Sequence, residues 1–291
     1  MAFHWQTFKT RTITAAVFVV IMLAGLLINH WTFFLLFSII HFGCWMEFQK
    51  LVSLMDKDYS DISPLHKYGV MLAGFCLVLY FTNDAYHIFG LRLNELGWWL
   101  GLMFIFILPI VEILFAKQVQ LKNIGYSLCG LLYISLSWGL LIDLRSFFMF
   151  FKGHQLLWDY GRIIPCVIIF SIWINDTMAY IVGSLIGKTP LSKISPKKTW
   201  EGTIGGIVLA VGIAALVAWW LKLEAVDIMM IAAIASITGT FGDLLESKLK
   251  RSAGVKDSGK LMPGHGGFLD RFDSLIFAVP FVWLYVMLVM R

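Results

Sequence analysis

Charge is what this sequence has least of. Only 14% of its 291 residues are Asp, Glu, Lys or Arg, where an ordinary soluble domain carries about 25%. With 59% hydrophobic residues and a mean hydropathy of +0.80, a water-exposed fold would be left with large apolar patches. Disordered and collagen-like classes are excluded by the same figures. Cysteine is also scarce. Cys44, Cys76, Cys129 and Cys166 all lie in apolar stretches and form no C-x-x-C pair, so they are expected to be small core residues rather than a zinc site or disulfide framework. Strict apolar/polar alternation is missing, which removes the β-barrel. No internal repeat is visible, although many transporters show inverted halves.

What is there is a succession of long apolar runs. About 20 apolar residues cross a bilayer core of about 30 Å. Nine candidate spans fall near Ile13–Ile28, Trp31–Phe48, Gly69–Ala85, Gly97–Phe115, Ile124–Leu144, Ile163–Ile186, Thr203–Leu221, Ile228–Asp243 and Ser274–Met290. The first lacks a small-residue cleavage site and is read as a retained helix. The expected fold is therefore an all-α polytopic membrane protein of about nine transmembrane helices. With the N-terminus in the cytoplasm, 17 of the 23 Lys and Arg residues fall on the inner side, so the positive-inside rule favours an N-in, C-out arrangement. Residues 1–160 read as N-terminal transmembrane helices. Residues 161–291 read as a catalytic region with cytoplasmic loops at 187–202 and 244–273. The pairs Gly97/Gly101, Gly183/Gly187 and Gly202/Gly206 are expected to let helices pack closely. The abundant Trp and Phe suit a core and interface belt, and nothing points to nucleic acid.

The polar residues that remain are concentrated. The stretch Asp243–Asp273 holds six basic and five acidic residues and five glycines. Asp243 ends one span and Asp270 precedes the next, so their carboxylates can meet at one membrane depth. Two hard oxygen ligands suit Mg²⁺, which completes its shell with phosphate and water. Asp273, three residues after Asp270, shares its helix face if the last span begins early. Lys248, Arg251, Lys256 and Arg271 can neutralise phosphate charge, and glycines let backbone N–H groups approach phosphate oxygens. His265, between glycines, is the one histidine ranked as functional.

A second cluster runs from Asn175 to Glu201. Asp176 follows a mostly apolar run, and an acid at that depth is a functional candidate by default. Lys188, Lys193, Lys197 and Lys198 follow, and Ser195-Pro196-Lys197-Lys198-Thr199 reads as an ordered turn ahead of two ammonium groups. Glu112 is expected to pair across helices and His41 to be a packed residue. Asp84, Asp143 and Asp159, near outer span ends, are expected to be solvated. Together these features give a cytoplasm-facing, metal-assisted phosphate site whose substrates include one lipid and one soluble phosphate compound.

Two motifs carry a resemblance. Ser247–Asp273 reads S-K-L-K-R-x4-K-D-S-G-x3-P-G-H-G-G-F-L-D-R-F-D, and Asp176–Gly202 reads D-T-x-A-Y-x2-G-x3-G-K-x-P-L-x3-S-P-K-K-T-x-E-G. Both resemble the shared blocks of the phosphatidate cytidylyltransferases (CDP-diacylglycerol synthases), and the opening Arg11-Thr12-Ile13-Thr14-Ala15 is similar to bacterial members. The resemblance implies that CTP and phosphatidic acid give CDP-diacylglycerol and pyrophosphate in phospholipid biosynthesis. It implies a multi-pass protein of the bacterial plasma membrane with its active site facing the cytoplasm. The expected catalytic residues are Asp243, Asp270, Lys198, Arg271 and Asp176. Substrate binding is expected from Lys188, Lys197, Lys248, Arg251, Lys256, His265, Gly266 and Gly267. Asp243 and Asp270 would hold Mg²⁺, with Asp273 a further candidate, Asp257 an outer one, and a second cation such as K⁺ left open. The lipid bilayer is the expected surrounding, and a homodimer is left open. A CTP-dependent prenol or phytol kinase would release CDP instead of pyrophosphate. An anion transporter would show flux without CTP.

Overall fold

The computed structural model describes residues 5–115, 120–150, 159–259 and 266–290. Its helices are α1 (Trp5–Leu27), α2 (His30–Met55), the single-turn α3 (Lys57–Ser60), α4 (Pro64–Tyr80), α5 (Leu93–Phe115), α6 (Leu121–Gly130), α7 (Ser137–Phe150), α8 (Tyr160–Ile186), α9 (Trp200–Leu221), α10 (Ala225–Ser252) and α11 (Leu269–Val289). A short hairpin of β1 (His87–Ile88) and β2 (Leu91–Arg92) joins α4 to α5, pairing His87 with Arg92 and Ile88 with Leu91. A π-helical turn at Leu131–Leu136 makes α6 and α7 one continuous rod.

Among the described residues, seven helices are long and apolar enough to cross a membrane, counting Leu121–Ser146 as one. Two shorter apolar helices, Thr12–Leu27 and Pro64–Tyr80, stand where the first and third expected spans were placed. At about 1.5 Å per residue the 17 residues of α4 rise about 26 Å, just short of the hydrocarbon core. Helices α5 and α9 are the least buried. Ile105, Phe106, Ile113, Trp219 and Trp220 stand outward on them, the pattern of a lipid-facing surface.

The core lies between α2, α7, α8 and α11, where Phe37, Trp45, Trp138, Ile168, Phe272, Ile276 and Val279 are buried. Polar contacts pin these helices. Trp45 Nε1 donates to Ser135 Oγ at 2.8 Å within the π-turn, and His41 Nε2 lies 3.0 Å from the same oxygen, so His41 is a packed residue as expected. Glu112 pairs across helices with His66 Nδ1 at 2.6 Å, and His66 Nε2 meets Ser127 Oγ at 2.8 Å. Just past α2, the Lys122 ammonium 2.5 Å from Asp56 holds that carboxyl below its usual range.

The opposite end of the bundle has its own polar set. Asp143, expected to be solvated, is buried: it accepts from Asn83 Nδ2 at 2.7 Å and from Trp283 Nε1 at 2.6 Å. About two turns before the end of α7, a buried carboxylate needs hydrogen-bond donors, and the amide and the indole supply them. Asp84 and Asp159 are exposed and paired with Arg92 and Arg145 at 3.2 and 3.4 Å.

Helix α8 packs tightly against α9, and the approach has a sequence cause. A Cβ at Gly202 would lie 2.6 Å from the Ala179 carbonyl oxygen, and one at Gly206 would lie 2.7 Å from that of Asn175. Small residues at this spacing let two backbones touch. Gly202→Leu is expected to cost about 1–3 kcal/mol through forced separation of the two helices. Thermal melting in detergent would check it, and a wild-type midpoint would refute so tight a contact.

Candidate active site

The site assembles at one end of the bundle, where α8 and α10 finish and α9 and α11 begin. Chain geometry in the 187–199 loop comes first. Lys198 N–H donates to Ser195 O at 3.1 Å across the turn Ser195-Pro196-Lys197-Lys198, and Leu191 N–H donates to Lys198 O at 2.8 Å. Proline at the second position presets such a turn. Thr199 caps α9 by accepting from Gly202 N–H at 3.2 Å. Glu201 in the first turn accepts from Lys188 N–H, Thr189 N–H and Thr189 Oγ1, which ties the loop to α9. The Lys198 backbone is therefore fixed on both sides. Its ammonium reaches Asp243 Oδ2 at 2.5 Å.

The second half of the site is built on α10 and α11. The expected 244–273 loop is shorter than the sequence pattern suggested, because α10 continues to Ser252 and α11 starts at Leu269. Gly254, at φ +71°, closes α10 in the left-handed region, with Val255 N–H donating to Lys250 O at 3.0 Å. The early start of α11 puts Asp270 and Asp273 on one face, and both line the same cavity. Asp270 is heavily engaged. Its Oδ2 accepts from Ser258 N–H at 2.8 Å, Ser258 Oγ at 2.9 Å and Gly267 N–H at 2.8 Å, and its Oδ1 accepts from Lys250 Nζ at 2.6 Å. Gly266 adopts φ +86°, and a Cβ there would lie 2.6 Å from Asp270 Oδ2. Asp273 is buried and accepts from Ser274 N–H at 2.6 Å.

Two cavities meet here. One, of about 280 Å³, has an apolar wall of Phe18, Met22, Ile169, Ile172 and Trp173, and a polar side of Asp176, Asp243, Asp270, Arg271 and Asp273. The other, of about 390 Å³, is lined by Asn175, Asp176, Tyr180, Ser195, Lys197, Lys198, Thr199 and Asp243 among others. Asp176 and Asp243 line both and so form the wall between them.

The structure thus brings together Asp176, Lys197, Lys198, Asp243, Asp270, Arg271 and Asp273. Lys188, Lys248, Arg251 and Lys256 are exposed on the surrounding surface and line neither cavity. Arg251 Nη1 donates to Val255 O at 3.1 Å. The Gly267 amide is committed to Asp270, and Gly266 abuts that carboxylate. His265 lies outside the described residues.

Three residues escaped the sequence reading. Glu246 is fully buried, and Lys250 bridges it to Asp270 with contacts of 2.5 and 2.6 Å. The i,i+4 Glu-to-Lys spacing was the available signal. Glu47 lies on α2, more than 200 positions earlier in the chain. It accepts from Phe268 N–H at 2.9 Å, Leu269 N–H at 2.8 Å and Ser258 Oγ at 2.6 Å. An acid inside an apolar span was its only signal.

The model of the cytidylyltransferase family matches residues 9–289. The chain belongs to that family. Among its relatives is a phosphatidate cytidylyltransferase of Staphylococcus saprophyticus, 32% identical over 282 residues, 94% of this chain and 96% of the relative. One from Synechocystis is 36% identical over 192 residues, 60% of this chain and 66% of the relative. One from Bacillus subtilis is 34% identical over 192 residues, 65% of this chain and 68% of the relative. A cytidylyltransferase must gather several anionic phosphate groups, and the lysine-lined cavity answers that need.

The Lys198–Asp243 pair is about one-third exposed at each side chain, so it adds no more than about 1 kcal/mol to stability. Lys198→Ala is expected to raise the KM for CTP at least about tenfold, the loss of one charge-assisted contact, with little change in melting. Unchanged kinetics would reduce Lys198 to a loop charge.

Proposed function

We propose that the wall formed by Asp176 and Asp243 is where the two substrates meet. The reaction joins CTP and phosphatidic acid into CDP-diacylglycerol with release of pyrophosphate, as family membership and the phosphatidate cytidylyltransferase relatives support. The observation that carries the placement is the contrast between the cavities. The one with an apolar wall suits a lipid whose phosphate reaches Arg271 and the carboxylates. The one with Lys197 and Lys198 suits a nucleotide triphosphate.

Attack runs from a phosphate oxygen of the lipid to the α-phosphorus of CTP, with pyrophosphate leaving. Both reactants are anions, so orientation and charge compensation are most of what the protein must provide. Lys197, Lys198 and Arg271 supply that compensation, and the fixed backbone of Lys198 keeps its ammonium in place. Asp176 orients a ligand at the cavity floor. Lys188, Lys248, Arg251 and Lys256 belong to the outer reach of the nucleotide or its leaving group, whereas Gly266 and Gly267 serve the site by packing against Asp270.

The donor set also fits Mg²⁺. The polar walls offer carboxylate oxygens and no sulfur. Among the described residues no three His, Cys, Asp or Glu side chains close into a cage, so the chain would supply one or two ligands, as Mg²⁺ commonly accepts. Asp243 and Asp270 would hold it, with Asp273 and Asp257 as further candidates, and a second cation such as K⁺ would share the acid cluster. Mg²⁺, when bound, neutralises charge on the phosphate oxygens.

Nine spans, with the N-terminus and the site on the cytoplasmic side, follow from counting α1 and α4 as spans and from the distribution of basic residues. We assign the protein to a bacterial inner membrane, in line with its bacterial relatives, with residues 161–291 as the catalytic region. The reading includes no nucleic-acid partner and leaves a homodimer open.

Purified protein in detergent, given phosphatidic acid, CTP and Mg²⁺, is expected to release pyrophosphate only with lipid present and to stop on EDTA addition. Asp243→Asn is expected to abolish turnover while the protein stays monodisperse with an unchanged melting midpoint. Near wild-type turnover of that variant with Mg²⁺ would overturn the metal assignment. CTP consumption without pyrophosphate would indicate a kinase.

A further inference from the structure

We infer that Glu47, in the N-terminal half, is a positioning residue for Asp270. This rests on Asp270 belonging to the metal and phosphate centre, as proposed above. The carboxylate of Glu47 holds the start of α11 and the Ser258–Gly259 corner together, and so sets where Asp270 stands.

The geometry is specific. Oε1 of Glu47 accepts from Phe268 N–H, while Oε2 accepts from Leu269 N–H and Ser258 Oγ. Asp270 is the next residue after Leu269. Ser258 Oγ lies 2.6 Å from Glu47 and 2.9 Å from Asp270, and its one proton serves one carboxylate at a time. The same serine thus touches both acids, and its backbone N–H is given to Asp270 as well.

The sequence leaves room for only this arrangement. A Cβ at Gly259 would lie 2.0 Å from Glu47 Oε1, and one at Gly267 would lie 2.2 Å from both of its oxygens. One turn earlier on α2, a Cβ at Gly43 would lie 2.3 Å from the Phe268 ring. Gly43 and Glu47 together form a seat: the ring of Phe268 fills the gap at Gly43 while its amide meets the carboxylate.

Charge is required, not only shape. The anion sits against two backbone N–H groups that open a 21-residue helix, where negative charge is favoured. An amide in place of the carboxylate would turn an NH₂ donor toward at least one of the three donors. That is why Glu47→Gln, almost the same in shape, should fail.

The test uses full-length protein in detergent and two readouts that need no turnover. The first is equilibrium Mn²⁺ binding followed by electron paramagnetic resonance. The second is trypsin cleavage after Lys256 in metal-free protein. Glu47→Gln is expected to weaken Mn²⁺ binding about 10- to 100-fold, the usual effect of losing an outer partner of a metal ligand. It should speed cleavage after Lys256 at least about tenfold, with the melting midpoint nearly unchanged. Should Glu47→Gln fail to fold, Gly267→Ala, which drives a methyl group into the same carboxylate, is expected to show both effects. Wild-type Mn²⁺ affinity together with wild-type cleavage would overturn the inference, and so would a melting loss with neither effect. Asp270→Asn, run in parallel, separates the two ideas. If it keeps Mn²⁺ affinity, the metal role of Asp270 falls and the cleavage rate alone decides whether Glu47 positions the loop. If it loses Mn²⁺ while Glu47→Gln does not, the positioning role falls alone.

Discussion

Carboxylates set inside a helical bundle are the constraint around which this protein is arranged. An ionised acid at membrane depth costs about 3 kcal/mol or more, and the described residues gather Asp176, Asp243, Glu246, Asp270 and Asp273 at one end, with Glu47 beside them. One-to-one ion pairs account for only part of this set. Lys250 serves Glu246 and Asp270 at once, Lys198 serves Asp243, and the backbone N–H groups of Ser258, Gly267, Phe268 and Leu269 serve Asp270 and Glu47. The concentration of acid is tolerable because fixed donors already face most of it. A site with that much negative charge is also ready for cations, and through them for phosphate.

The close packing of α8 on α9 serves the same end. Glycines at 202 and 206 bring the α9 backbone against α8, which draws the Ser195–Thr199 turn over Asp176 and Asp243. Without that approach Lys197 and Lys198 would be loop charges beyond reach of the acids. Small residues in the membrane thus set the depth at which basic groups meet the carboxylates.

The other polar groups in the bundle are occupied by structure. His66, Glu112 and Ser127 close a network among α4, α5 and α6, and Asp143 is consumed by Asn83 and Trp283 at the far end. These sets join helices whose apolar faces alone would not specify register, since lipid competes equally well for apolar contact. They line neither of the site's two cavities, which separates them from it despite similar residue types.

Composition and run length alone fixed the class: a chain this poor in charge and this rich in long apolar stretches can only be a helical membrane bundle. Linear spacing also revealed the two motif blocks, the turn at Ser195–Lys198, and the pairing of Asp270 with Asp273 on an early-starting helix. These are local facts, and period and turn chemistry carry them. Tertiary structure decided what local pattern cannot hold. Glu47 meets Phe268 and Leu269 only because α2 packs beside the start of α11, so nothing near Glu47 in the sequence announces it. Asp143 is buried for the same reason: its indole and amide partners, Trp283 and Asn83, come from distant parts of the chain. Burial of a charge is a property of neighbours in space, and the sequence specifies those neighbours only through the whole fold.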